Sequence, residues 1–255
     1  MNFLIYNAIF LCNRVTVGSF QHVLPIIVAV IFCVYIVRYA KFQLSQNQQN
    51  VVFNCIGCFV SFVVIAFHLY SIRLGNYKIT TDLPLYLCSL IALLIPIFTY
   101  YKKFWMYEIL LFWIIAGTTQ GVITPDILEG FPAFDYFRYW IVHLGILTII
   151  FYATFVFNMR PKLKSVFKAF FALQVYLIFM VVINYVLKAN YFYLNEKPQS
   201  ASLLDYFGAW PLYIIVVQLI IIPYFLLIYL PFHLMERKRK NLNFYLENNT
   251  EVVSK

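Results

Sequence analysis

Long apolar stretches separated by short polar segments make up the pattern along this chain of 255 residues. Seven of these stretches are roughly 20 residues long, the length that an α-helix needs to cross the hydrocarbon core of a bilayer. They lie at about 22–38, 51–74, 83–101, 105–123, 136–157, 166–187 and 211–234. The pattern predicts an all-α fold, a polytopic seven-helix transmembrane bundle that forms a single integral membrane domain over 1–255.

The segment before the first predicted helix is also apolar, but Asn7, Asn13 and Arg14 interrupt it. Such a segment favours the membrane interface or a short outer helix over residues 1–20. It lacks the basic start and the small-residue cleavage site of a secretory signal peptide, so we do not interpret it as one. No internal repeat is visible in the sequence, which disfavours a transporter built from inverted repeats.

Composition supports placement in lipid, because 63% of the residues are hydrophobic and only 11% are charged. A soluble domain carries about 25% charged residues, and a chain with so few could not solvate a folded surface. Aromatic residues reach 20% of the chain, and tyrosine is typical of the headgroup belt. The connecting segments are short and leave no room for a separate soluble domain.

The lysines and arginines predict the orientation of the bundle. Of the 19 basic residues, six fall on the side of the bilayer opposite the C-terminus. These six are Arg14, Arg73, Lys78, Arg138, Lys188 and Lys197. Because cytoplasmic loops carry the excess of basic residues, we expect a cytoplasmic C-terminus and an external N-terminus. The net charge of +9 follows from these loops and does not indicate a nucleic-acid partner.

Polar side chains gather near the outer ends of four predicted helices. Cys88, His143, His68 and Asn184 reach similar depths, about 8–10 Å for Cys88 and His143 at 1.5 Å per residue. His22, Thr118, Thr119 and Gln120 also fall near the outer ends of their helices. Ionisable groups inside a membrane are costly and often line a functional site, and a histidine can take the proton of a thiol nucleophile. Cys88 and His143 are therefore the candidate catalytic pair. The structural alternative is a thiol that packs as a small hydrophobe and a histidine that bonds a neighbouring helix.

The position of Cys88 within its helix bears on its reactivity. The sequence Asp82-Leu83-Pro84 predicts a helix start with Pro84 at or near the first helical position. Cys88 would then be about the fifth helical residue. The positive potential of a helix N-terminus favours a thiolate, and the fifth residue lies at the edge of that effect.

The remaining cysteines and buried charges favour structural roles. Cys55 and Cys58 have a C-x-x-C spacing, but they lie in an apolar helix, where small residues permit close helix packing. The five cysteines of the chain are predicted to be free thiols rather than parts of a disulfide framework. Charge pairing with Lys102 or Lys103 is expected for Glu108. We expect no metal ion and no cofactor.

Two predicted outer segments are richer in polar residues than a simple connection requires. Asp126 follows a Thr-Pro turn and is placed to cap a helix or to orient a histidine. The connection over 188–210 can offer hydrogen bonds and one cation to a phosphate headgroup, or it can form an ordered lid. The candidate substrate-binding residues are Asp126, Asn184, Asn190, Tyr191, Lys197, Ser202 and Asp205.

Four segments of the chain resemble a known family. They are LPLYLCSL (83–90), GVITPDILEGFP (121–132), YWIVH (139–143) and NYFYLNEKPQSASLLDYFGAWPLYI (190–214). All four are similar to the YwaF-like bacterial integral membrane protein family, which is related to a eukaryotic transmembrane acyltransferase that makes polyunsaturated ether phospholipids. The resemblance extends over roughly 20–235 and aligns the family's cysteine with Cys88 and its histidine with His143. A more distant likeness is to androgen-regulated intramembrane lipid hydrolases, which pair a threonine with a histidine.

Two positions depart from the family pattern. Tyr86 stands where the family commonly has a histidine two residues before the cysteine. Ala133 stands where it tends to have a histidine after the Phe-Pro pair. Both departures remove possible auxiliary acid–base groups and leave the Cys88–His143 pair intact.

The resemblance implies acyl transfer or hydrolysis inside the membrane, with Cys88 as nucleophile and His143 as base. The leading hypothesis is a lipid acyltransferase or acyl hydrolase of the bacterial inner (plasma) membrane, acting on a phospholipid or lysolipid. Placement at the outer leaflet favours a CoA-independent reaction, because CoA is cytoplasmic. The alternatives are a non-enzymatic membrane protein that binds or transports a small solute or lipid, and an accessory membrane subunit.

Overall fold

The computed structural model describes residues 14–75, 77–198 and 202–253, with side chains as far as Asn241. Most of the predicted interfacial segment 1–20, including Cys12, lies outside the described residues. Within them the chain is all-helical, with 77% helix and no strand. This confirms the predicted all-α class.

The helices follow one another with short connections. In chain order they are α1 (Phe20–Gln43), α2 (Gln46–Arg73), α3 (Leu87–Tyr101), α4 (Phe104–Trp113), a π-helical turn (Ile114–Thr118), α5 (Thr119–Ile123), α6 (Phe134–Phe155), α7 (Leu163–Leu187) and α8 (Leu212–Val253). Two short 3-10 turns, Tyr191–Tyr193 and Leu203–Phe207, lie in the connection between α7 and α8. The segments α4, π turn and α5 form one continuous helical stretch over 104–123.

Six of these segments are long and apolar enough to cross a membrane: α1, α2, α4 to α5, α6, α7 and the part of α8 up to Asn241. The protein is therefore a multi-pass membrane protein. Helix α3 has 15 residues, or about 22 Å at 1.5 Å per residue, against a hydrocarbon core of about 30 Å. The seventh crossing and the orientation of the termini remain predictions.

The start of α3 differs from the predicted one. The sequence predicts a helix from about residue 83, whereas α3 begins at Leu87 with Tyr86 in extended conformation as its N-cap. Leu85 N donates instead to Leu83 O at 2.7 Å, which closes a tight turn around Pro84. The residues that were predicted as the first turn of the helix are therefore a separate turn outside it.

Close approach of the helices depends on small residues. Helix α6 is the central one and packs against α1, α2, α3 and α5. A Cβ at Gly145 of α6 would lie 2.5 Å from Cγ2 of Val60 on α2, and a Cβ at Gly57 of α2 would lie 2.5 Å from Oγ1 of Thr99 on α3. Gly57 thus has the packing role that was predicted for its segment, while Cys58 is exposed.

A buried carboxylate, that of Glu108, joins α4 to the N-terminal part of α7. Glu108 is only 2% exposed. Its two oxygens accept hydrogen bonds from Ser165 Oγ at 2.7 Å and from Lys168 Nζ at 2.6 Å. The charge pairing expected for Glu108 is present, but its partner is Lys168 of the adjacent helix rather than Lys102 or Lys103, because α4 packs on α7.

Reporter fusions test whether α3 crosses the bilayer. We expect alkaline phosphatase to be active when fused after Lys78 and inactive when fused after Lys103, because the two positions flank α3 and the basic pair favours the cytoplasm. Fluorescence of a fused green fluorescent protein should show the opposite pattern. The same reading at both positions would exclude a seven-span topology.

Substitution at the α2–α6 contact tests the packing. Gly145→Ala should destabilise the protein by about 1–3 kcal/mol, because the new methyl group overlaps Val60. Thermal unfolding in detergent measures the change. The double variant Gly145→Ala/Val60→Ala should lose less free energy of unfolding than the two single variants lose together. The reason is that Val60→Ala removes the side chain that the new methyl group overlaps. Strict additivity would mean that the two residues do not touch.

Candidate functional site

Cys88 is the second residue of α3, and this placement leaves its backbone N–H without an intrahelical partner. The N–H groups of Leu87, Cys88 and Ser89 have no acceptor among the described residues, as is normal for the first turn of a helix. The predicted fifth position is therefore corrected to the second. A thiol there lies within the region where the helix dipole favours negative charge.

The side chain of Cys88 contacts the π-helical turn. Its Sγ lies 3.5 Å from Oγ1 of Thr118, which is completely buried. Thr118 is the last residue of the π turn, a geometry that occurs often at functional sites because it re-aims side chains within a helix. Gly117 next to it packs near Leu87, whose side chain would lie 3.4 Å from a Cβ at that position, an ordinary contact distance.

His143 approaches the same stretch from α6. Its Nδ1 lies 2.8 Å from Tyr139 O, and its ring stacks on the Tyr139 ring with 4.1 Å between centroids. A carbonyl can only accept, so Nδ1 carries the proton and Nε2 is the unprotonated acceptor of the neutral ring. A Cβ at Gly121 would lie 2.9 Å from Nε2, so only glycine leaves space for this ring.

Cys88 and His143 thus converge on one short segment, residues 118–121, from two different helices. Cys88 meets it at Thr118, and His143 meets it at Gly121. Tyr139 fixes the segment from the α6 side, because its hydroxyl donates to Gly121 O at 2.7 Å. No hydrogen bond joins the cysteine to the histidine in the described part of the chain, and a catalytic pair remains a prediction.

Asp126 forms polar contacts with three other parts of the chain. It forms an ion pair with Arg14 at 2.6 Å and accepts a hydrogen bond from Tyr193 OH at 3.5 Å. Its own N–H donates to Tyr139 OH at 3.4 Å. The sequence predicts helix capping or histidine orientation for Asp126, and its pattern contains no signal that Arg14 and Tyr193 are the partners.

Asn184 holds the loop that follows α7. Its Nδ2 donates to Tyr191 O and its Oδ1 accepts from Tyr191 N, both at 2.8 Å, and it is only 4% exposed. Tyr191 in turn donates from its hydroxyl to Ile79 O at 2.7 Å and accepts from Leu83 N at 3.0 Å. This chain of bonds connects α7 to the turn before α3. The predicted role of both residues in substrate binding is not tested by these contacts.

The other predicted headgroup ligands bond residues of their own segment. Asn190 Oδ1 accepts from two backbone N–H groups, those of Asn195 at 2.9 Å and Glu196 at 3.1 Å. Ser202 N donates to Asp205 Oδ2 at 2.7 Å, and Asp205 lies 3.9 Å from Lys197 Nζ. These bonds connect described residues of the segment to one another, and the lid alternative stays a prediction. Binding of a headgroup by Asn190, Lys197, Ser202 and Asp205 stays a prediction.

Several tyrosines beside the site remain neutral donors. Burial raises the pKa of Tyr193, and the nearby Tyr86 and Asp126 raise it further. Burial likewise raises the pKa of Tyr191 to about 12. Because these hydroxyl groups stay protonated throughout the physiological range, the hydrogen bonds that Tyr191 and Tyr193 donate do not depend on pH there.

Two other histidines, His22 and His68, form no hydrogen bond with residues 118–121 in the described part of the chain. His22, which is buried, accepts from Gly18 N at 2.9 Å on Nδ1 and has Nε2 at 2.8 Å from Val122 O. It therefore links α1 to the end of α5. Neither ring nitrogen of His68 has a hydrogen-bond partner among the described residues.

The fold and the site define a multi-pass helical membrane protein with a polar cluster at one end of its bundle. A model of the TMEM164 family matches residues 17–229 of the chain. The protein belongs to the TMEM164 family. No curated protein and no solved structure matches it significantly, and the bacterial YwaF-like assignment remains a prediction.

The Asn184–Tyr191 bonds give a testable consequence for the loop. Asn184→Leu leaves a buried N–H and a buried C=O unpaired, each at a cost of about 1–3 kcal/mol. Hydrogen exchange over 188–198 should accelerate markedly. Gln174→Leu on the same helix removes only the bond to Gln218 and should leave this loop as protected as in the unchanged protein. Equal exchange rates in the two variants would contradict the role of Asn184 in holding the loop.

Proposed function

We propose that the protein is a lipid acyltransferase or acyl hydrolase with Cys88 as nucleophile and His143 as general base. The observation that supports this most directly is the convergence of the two side chains on residues 118–121. The LPLYLCSL and YWIVH segments resemble a family that is related to a transmembrane acyltransferase, and this relation supports the reaction class. Membership of the TMEM164 family is compatible with this function.

The first half of the reaction forms a thioester. His143 Nε2 takes the thiol proton as the sulfur attacks the carbonyl carbon of a lipid acyl ester. The tetrahedral intermediate then breaks its ester C–O bond. The proton on His143 passes to the departing oxygen, so a lysolipid leaves and the acyl group stays on Cys88.

The second half releases the acyl group. A lipid hydroxyl or a water molecule attacks the thioester carbonyl while His143 takes its proton. The C–S bond breaks, and the same proton returns to the sulfur, which restores the thiol. The acceptor decides between acyl transfer and hydrolysis, and both use the same two residues.

Backbone groups at the start of α3 suit the developing oxyanion. The N–H groups of Cys88 and Ser89, the attacking residue and its neighbour, have no acceptor among the described residues. Donors placed before the reaction stabilise a tetrahedral oxyanion without reorganisation. Thr118, whose Oγ1 lies 3.5 Å from Cys88 Sγ, then has the role of orienting the thiol.

Acyl capture by purified protein tests the proposal. Incubation with phospholipid should give an acyl adduct in the intact mass that hydroxylamine removes, together with released lysolipid. Cys88→Ser should lose the hydroxylamine-sensitive adduct, and His143→Ala should lower the rate by roughly 100-fold or more, the usual contribution of general base catalysis.

A matched thiol variant controls for non-specific reaction. Cys58→Ser removes an exposed cysteine of α2 and should retain both adduct and lysolipid at the unchanged level. If Cys88→Ser forms lysolipid as fast as the unchanged protein, the cysteine mechanism is wrong. A total absence of adduct and lysolipid with every lipid class would instead favour the non-enzymatic alternative.

A further inference from the structure

A groove opens between α7 and α8 at the same end of the bundle as the candidate site. It has a volume of about 800 Å³, within the usual size range of ligand sites. We call it the α7–α8 groove; its walls include Leu177, Val181, Lys188, Leu194, Trp210 and Ile214. Apart from Asn184, Lys188 and Asn195, the lining is apolar or aromatic.

The length of the groove matches one leaflet of a bilayer. Its wall on α7 extends from Leu177 to Lys188, which is about 16 Å at 1.5 Å per residue. Half of a hydrocarbon core of about 30 Å is nearly the same distance. The groove is also open sideways, since Val181 is 50% exposed and Tyr185 is 85% exposed. An acyl chain can therefore enter it from the surrounding lipid.

The polar end of the groove carries one cation and no carboxylate. Lys188 ends α7 in the left-handed conformation and is exposed, and it forms no ion pair in the part of the chain that the structure describes. Lys197 differs, because it lies 3.9 Å from Asp205 and 5.7 Å from the centre of the Tyr213 ring. The unpaired charge in the α7–α8 groove is that of Lys188.

Hydrogen bonds hold the rim of the groove in place. Trp210 Nε1 donates to Leu194 O at 3.0 Å, and Asn195 Nδ2 donates to Ala189 O at 2.8 Å. The rim is thus fixed by hydrogen bonds within the chain. Trp210 is 61% exposed, and an exposed tryptophan at the end of a transmembrane helix is typical of the headgroup level.

We propose that the α7–α8 groove binds a glycerophospholipid of the bilayer, with its phosphate on Lys188 and one acyl chain along Leu177–Val186. An anion at one end and a chain of about half the membrane thickness complement the cation and the apolar wall. The site uses neither Cys88 nor His143. Phospholipid binding here is consequently independent of whether the protein transfers acyl groups.

Photocrosslinking tests the groove with the whole protein in phosphatidylcholine vesicles. A phosphatidylglycerol that carries a diazirine in the middle of one acyl chain is added in trace amount, and labelled peptides are identified by mass spectrometry. Labelling should concentrate on α7 between Leu177 and Val186. Lys188→Gln should lower it by at least about fivefold, because a charge-assisted bond to phosphate is lost.

Two further variants complete the experiment. Lys78→Gln removes an exposed lysine in the connection before α3, outside the groove, and should label as the unchanged protein does. Val181→Trp fills the apolar part and should lower labelling while Lys188 is intact. Equal labelling of Lys188→Gln and the unchanged protein, or labelling spread evenly over the exposed faces of other helices, would overturn the proposal.

Discussion

Two tyrosine hydroxyl groups hold the turn before α3, and the candidate site depends on that turn. Tyr176 OH donates to Leu85 O at 2.5 Å, and Tyr191 OH accepts from Leu83 N at 3.0 Å. Unpaired backbone groups near lipid cost several kcal/mol each, so an unsupported turn would be unfavourable here. Because the turn stays outside the helix, Cys88 falls in the first helical turn, where its backbone N–H is free.

The need to pair backbone groups near lipid also accounts for the contacts of many polar side chains in the bundle. Most of them complete the backbone of a neighbouring segment: Asn184 serves the loop after α7, and Tyr139 serves the end of α5. A side chain used in this way has little capacity left for a ligand. The Cys88 thiol, Nε2 of His143 and the ammonium of Lys188 bond no backbone group among the described residues, and these are the groups for which chemistry or binding is proposed.

Hydropathy predicts the helices well because a bilayer imposes one length and one apolar character on every span. It places the start of α3 incorrectly, because the four residues around Pro84 have the same apolar character whether they form a separate turn or the first turn of the helix. The contact of Cys88 with Thr118 and the pair of Arg14 with Asp126 join residues far apart in sequence. Spacing along the chain contains no signal for either contact. Depth in the membrane indicates only that Cys88 and His143 share a layer, with Thr118 near the outer end of its helix.

The loop after α7 separates the candidate site from the α7–α8 groove and contributes to both. Tyr193 points its hydroxyl to Asp126 on the side of the site, whereas Leu194 and Asn195 line the groove. Any change that moves this loop therefore alters both regions together. Lys188 and Cys88 each belong to one region alone, so the effects of their substitution separate lipid binding in the groove from chemistry at the thiol.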